Sequence, residues 1–295
     1  MPKSKYEVVL DLIDSWVDSE KRDFATMSKD VEHFLSEIET EEMVRVVEEI
    51  GIIPEKYDHD STHEKLYAKM SDCVVSYVLK TLGFETRVLV ERGDSADVIA
   101  RSKWHGYDLV ADAKVFRLSR TAKNQKDFKI NSMDKWRGEC DYALLVCPLY
   151  QYPSTASAIY AQVLDTEVAL TSFEHLLFCL SRGVRESSSL SLEKLFSYPS
   201  VVSSSVVHSE RKKAKPVFDA LDAVVAERCD SSLSDLSSFK ATCMGSVSRR
   251  AQVERKFWVD EMKNISAMSV EEAREALIES RKIRSKIESI SEFIL

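Results

Sequence analysis

Between Ser61 and Phe116 the chain changes its hydrophobic period, and this change restricts the possible architectures more than any other feature. A capping-box pair, Ser61 and Glu64 in "STHEK", opens a stretch with apolar residues at helical spacing: Leu66, Met70, Cys73, Val74, Tyr77 and Val78. Gly83 ends it, which predicts one long amphipathic helix. Three short β-branched runs follow, "FETRVLV", "ADVIARS" and "YDLVADAKVF", parted by "ERGDS" and "KWHG". Runs this short, separated by turn residues, predict a small meander. A helix leading directly into a meander excludes an all-helical fold and predicts an α/β core.

The flanking sequence extends the pattern. Residues 5–50 read as helices, the third opening at Thr40 and stopping at Gly51. After the meander come a basic polar segment at 117–129, a short helix around Met133 to Cys140 and the apolar strand "YALLVCPLY". A helix after Pro153, the strand "EVALTS" and the helix "FEHLLFCLSRG" complete the middle of the chain. The expected fold is therefore α/β, a mixed sheet flanked by helices, with helical additions at both ends. It divides into a helical N-terminal region (1–60), a core (61–183) and a mainly helical C-terminal region (184–295). In the last region "ESSSLS" and "SVVSSS" read as surface loops between helices, and Ser269 with Glu272 caps the final helical stretch.

With 295 residues, 44% of them hydrophobic, the chain can bury a sizeable core. Its first residues, "MPKSKYEVVLDLIDSW", are charged, and no segment approaches the roughly 18 apolar residues of a membrane span. A cytoplasmic protein without membrane association is expected. Six cysteines without a C-x-x-C pair predict buried free thiols, and the histidine pair in "HDSTH", His59 and His63, straddles a helix start and makes a poor metal motif.

Charge placement carries the functional information. The pattern acid-x-Lys occurs five times, but only Asp112 and Lys114 sit in a strand, where alternation puts both on one face. The preceding strand carries Asp97, and a tight turn through "WHGYD" can bring it beside Asp112. Two carboxylates and an ammonium then converge. This trio suits metal-assisted phosphodiester hydrolysis: hard carboxylate oxygens hold Mg2+, which binds the scissile phosphate and acidifies a water, while the lysine orients that water and offsets developing negative charge. The alternative is an ion pair on a solvated sheet face.

Immediately downstream, Lys114, Arg117, Arg120, Lys123, Lys126 and Lys129 recur every third position against a single acid, Asp127, a net charge of +5 in a chain whose overall charge is −8. A three-residue step drifts about 60° per repeat around a helix, so the row suits an irregular segment following a phosphate backbone. Ala122, Asn124 and Lys126 are of types that read base edges in a groove.

With those residues in view, "ADVIARSKWHGYDLVADAKVFRLSRTAKNQKDFK" closely resembles the HindIII-type type II restriction endonucleases of the PD-(D/E)XK nuclease fold, as do "IGIIPEKYDHDSTHEKL", "YPSTASAIY" and "FEHL". The resemblance spans roughly residues 48–177. It implies a PD-(D/E)XK core, Asp97, Asp112 and Ala113 at the metal, Lys114 as the catalytic lysine, and roles near the DNA for Asn124, Lys126 and Asp127 with Ala122 facing bases, while Arg117, Arg120 and Lys123 of the basic row are expected to contact DNA beside them. It further implies a homodimer using Mg2+ to cut both strands of a palindromic duplex, the site AAGCTT cleaved after the first adenine to leave 5′-phosphates. A methyltransferase of a restriction-modification system would protect the host's DNA. The family's additional acid before "RG" aligns with Val90, which displaces Glu91 by one residue and so toward the other strand face; Glu64 is a second candidate acid, in competition with its capping role. Two rival functions remain at this level: a repair or recombination nuclease of the same fold that recognises DNA structure, and a non-catalytic DNA-binding module.

Overall fold

The stretch from Ser61 to Phe116, where the hydrophobic period changes, is where the architecture passes from helix to sheet. The computed structural model describes residues 4–17, 24–89, 95–120 and 125–291. Three helices come first, α1 (Lys5–Val17), α2 (Phe24–Ser36) and α3 (Thr40–Ile50). The long helix α4 (Thr62–Thr81) follows. Ser61 Oγ accepts the Glu64 N–H at 3.2 Å, so half of the expected capping box is present. The other half is replaced, because the Glu64 carboxylate accepts the Asp60 N–H at 2.6 Å instead of that of Ser61. Beyond α4, Gly83 adopts φ +99°, which a β-carbon would disfavour, and turns the chain into the sheet.

The sheet has five strands in sequence order: β1 (Glu85–Val88), β2 (Val98–Arg101), β3 (Asp108–Ala113), β4 (Tyr142–Val146) and β5 (Ala169–Thr171). β1, β2 and β3 form the antiparallel meander, whereas β3, β4 and β5 run parallel and need helical crossovers. Burial follows this division. The edge strand β1 alternates between half-buried and exposed, while β4 and β5 are almost continuously buried, as expected for parallel strands covered on both faces. α4 packs across β1, β2 and β3. The crossover from β3 to β4 carries α5 (Gln125–Phe128) and α6 (Ile130–Arg137), and that from β4 to β5 carries α7 (Ala158–Thr166). The helix expected to begin near Met133 thus starts three residues earlier, at Ile130 after a left-handed Lys129, and ends at Arg137 before Gly138.

α8 (Phe173–Ser181), α9 (Lys194–Ser205) and α10 (Ala214–Arg228) complete the packing of the sheet region. The stretch "SVVSSS", expected as a loop, is instead the C-terminal half of α9. Its hydroxyls return to the helix: Ser200 donates to the Ser197 carbonyl and Ser204 to that of Val201, both at 2.8 Å. Serine satisfied in this way can remain helical where tertiary packing favours it. "ESSSLS" is a loop, anchored by buried Glu186, which accepts from Ser102 Oγ at 2.5 Å, the Tyr107 hydroxyl at 2.9 Å and the Leu192 N–H at 2.6 Å.

Contacts divide the chain into two units, Met1–Arg250 and Ala251–Leu295. Within the first, one apolar core runs from Tyr6 through the sheet to Leu236, across positions 60/61 and 183/184. α11 (Leu233–Ala267) contributes to both units, and the second also contains α12 (Val270–Ser280) and α13 (Ile283–Ser291). α12 carries the complete Ser269/Glu272 capping box. All six cysteines are free thiols, five of them buried. No helix among the described residues is long and apolar enough to cross a membrane.

Candidate active site

Strand register brings the first two acids together. Val98 of β2 pairs with Ala111 of β3, so one step further along the antiparallel ladder Asp97 lies opposite Asp112. Asp97 is fixed at the mouth of β2 by its carbonyl, which accepts the Leu89 N–H at 2.8 Å. Asp112 is only 3% exposed, and two residues on, just past the end of β3, the Lys114 ammonium forms an ion pair with its carboxylate. The backbone of Lys114 is held in turn by the Val146 carbonyl at 2.7 Å.

α4 adds two groups that sequence reasoning did not identify. Lys69 forms an ion pair with Asp97, and Asp72, three residues later on the same helix face, accepts the Ala113 N–H at 2.9 Å. Oxygens of Asp72, Asp97 and Asp112 then lie within 4.8 Å of one another, a carboxylate cluster able to hold a divalent cation. Asp72 gives no distinctive signal in the sequence, where "KMSDCVV" reads as an ordinary amphipathic helix. What singles it out is burial, at 4% exposure, and that depends on how α4 lies over the sheet.

The cluster's electrostatics follow from its composition. Three carboxylates face two ammonium groups in a largely buried space. Burial pushes the Asp72 carboxyl up to about 7, and the neighbouring Asp112 adds to the rise; the Ala113 N–H, Lys69 and Lys114 oppose it. The charged form of Asp72 is thus disfavoured first by burial and then by its neighbour Asp112, a penalty that added positive charge beside it would reduce.

The basic segment leaves this cluster directly, but its first two arginines are engaged within the protein. Arg117 donates to Glu64 Oε1 and to the Tyr57 carbonyl, both at 2.5 Å. Arg120 pairs with Asp127 and lies over the Phe116 ring, 5.0 Å from its centroid. Glu64 therefore serves the helix start and Arg117 and lies outside the three-aspartate cluster; its carboxylate groups instead with His59 and Asp60, their ligand atoms within 4.8 Å of one another. His63 is elsewhere, stacked on Tyr57 at 5.0 Å. Lys126 is exposed. Glu91, Ala122, Lys123 and Asn124 lie outside the described residues.

A family model described as the HindIII restriction endonuclease matches residues 9–293. The chain is 36% identical over 299 aligned positions to the type II restriction enzyme HindIII of Haemophilus influenzae, in an alignment covering 100% of this chain and 96% of that one. Among solved structures, the restriction endonuclease FokI aligns with a TM-score of 0.37 at 14% identity, covering 59% of this chain and 32% of that one.

Proposed function

This chain belongs to the HindIII restriction endonuclease family, and on that premise we propose that it is a Mg2+-dependent homodimer that cuts AAGCTT in double-stranded DNA after the first adenine, in the cytoplasm. Two copies of one active site related by a two-fold axis match the symmetry of a palindrome. A methyltransferase acting on the same site would be its functional partner, since unprotected host DNA would also be cut. The observation that carries the reading is the convergence of Asp72, Asp97 and Asp112, with Lys114 paired to Asp112, at the point where the basic segment leaves β3.

The donor set fits a hard divalent cation: carboxylate oxygens of Asp72 on α4, Asp97 just before β2 and Asp112 on β3, to which the Ala113 carbonyl would add a further oxygen. Bound there, Mg2+ would supply a Lewis acid for the scissile phosphate and a water of lowered pKa. The residues do the positioning. Asp112 holds the Lys114 ammonium close to the reacting phosphate, where it can orient the attacking water and offset charge on the phosphate oxygens. Lys69 restrains Asp97, and the Ala113 N–H restrains Asp72, so both carboxylates are directed before substrate arrives. Asn124, Lys126 and Ala122 are the base-reading candidates, with Lys123 and Asp127 beside them.

Digestion of a long duplex in Mg2+ tests the reading. Discrete fragments with 5′-phosphates at AAGCTT are expected, lost when the site is altered or the metal chelated. Cutting confined to flaps or junctions would instead favour a repair nuclease, and binding without cleavage in any divalent metal would favour a DNA-binding module.

A further inference from the structure

The root of the basic segment is clamped to the loop that precedes α4. Phe116 bridges to Ile52 in parallel, and its carbonyl accepts the Ile53 N–H at 3.3 Å. Arg117 is held by the Glu64 carboxylate and the Tyr57 carbonyl. Two residues on, Glu55 receives both donors of Ser119, the backbone N–H at 2.9 Å and the hydroxyl at 2.7 Å. Glu55 is 5% exposed although Ser119 is on the surface, so a buried charge is committed to holding an exposed turn. Charge-assisted bonds of this kind, made by both carboxylate oxygens, restrict direction as well as distance. The clamping loop runs straight into α4, which carries Lys69 and Asp72 into the aspartate cluster. One continuous stretch, 52–72, therefore touches both the reacting centre and the start of the basic segment.

We propose that Glu55 and Glu64 are positioning residues for sequence discrimination: by fixing Phe116–Ser119 they set the direction in which the base-reading side chains leave the catalytic strand. Arg117 then acts as the pin between Glu64 and the Tyr57 carbonyl. This rests on the reading of the chain as a site-specific endonuclease. A base-reading group gains selectivity only if its position relative to the duplex is defined, because a mobile one adapts to the wrong base at little cost.

The test compares wild type with Glu55→Gln, Ser119→Ala and Ser119→Thr in the full-length protein. Cleavage rates are measured on the cognate duplex and on duplexes altered at one base pair, alongside melting temperatures. Gln at 55 can accept only one of Ser119's two donors, and Ala at 119 removes one of them, whereas Thr keeps both. The ratio of cognate to altered-site cleavage should fall about tenfold or more in Glu55→Gln, fall also in Ser119→Ala, and be retained in Ser119→Thr. Equal slowing on all duplexes with the ratio unchanged, or a drop in melting temperature alone, would overturn the proposal. Ser119 is exposed, so its variants keep the test decisive if Glu55→Gln folds poorly. Failure of wild type to give discrete fragments is a different result and would overturn the endonuclease reading beneath it.

Discussion

Asp112→Asn is expected to slow metal-dependent cleavage by about a thousandfold or more while leaving the melting temperature near that of wild type. The substitution removes the carboxylate to which Lys114 is paired and a donor from the aspartate cluster, so both the cation and the lysine lose their anchor. The fold should tolerate it, because three carboxylates against two ammonium groups become two against two. Lys114→Ala should cost as much activity but more stability. It leaves Asp112, with its side chain 4% exposed, beside Asp72 without its paired ammonium and three carboxylates facing Lys69 alone, and breaking one side of a buried pair is typically worth a few kcal/mol. Single-turnover cleavage and thermal melting of both variants check this. Asp112→Asn cutting within tenfold of wild type would remove Asp112 from the reacting centre, and equal melting of the two variants would contradict the charge count.

Asp72→Asn is expected to trade function for stability. Its carboxyl stands at about 7 in the folded protein against an ordinary 3.8, raised first by burial and then by Asp112. The native state therefore holds this proton more tightly than the unfolded chain does. The associated stability is fully present below pH 3.8 and is lost as pH rises toward about 7, above which the native state carries the whole penalty. Asparagine keeps an acceptor for the Ala113 N–H and carries no charge. In metal-free buffer the variant should melt higher than wild type at pH 8 by an amount corresponding to a few kcal/mol, with the difference shrinking as pH falls toward 4. Added Mg2+ should raise the melting temperature of wild type more than that of the variant, because binding to the native state stabilises it. Cleavage should fall by about a hundredfold or more. A variant that cuts at the wild-type rate, or one whose stability relative to wild type does not change with pH, would place Asp72 outside the cluster's chemistry.

The two variants draw on residues of different legibility. Asp112 and Lys114 stood out because a strand context makes an acid and a base on one face anomalous, and Asp97 followed from the short turn between neighbouring strands. Local rules suffice for both inferences. Asp72 and Lys69 obey the ordinary pattern of an amphipathic helix, and only the crossing of α4 over β1, β2 and β3 turns them inward. The arginines show the same limit. As a sequence, the basic row is a line of free charges, yet Glu64 and Asp127, one of them more than fifty residues away, engage Arg117 and Arg120.

The order of helices and strands, the meander and the aspartate–lysine strand were determined by the sequence itself, through period, turn residues and charge in an apolar context. A few departures, such as "SVVSSS" becoming helix, arose where packing overrode composition. Tertiary structure alone decided that Asp72 joins Asp97 and Asp112, which arginines are neutralised, and that Glu55 reaches Ser119 across sixty-four positions. Local periodicity is a property of neighbouring residues and can be read along the chain. The ionic state of a buried carboxylate depends on desolvation and on charges supplied by distant elements, and these exist only once the chain has packed.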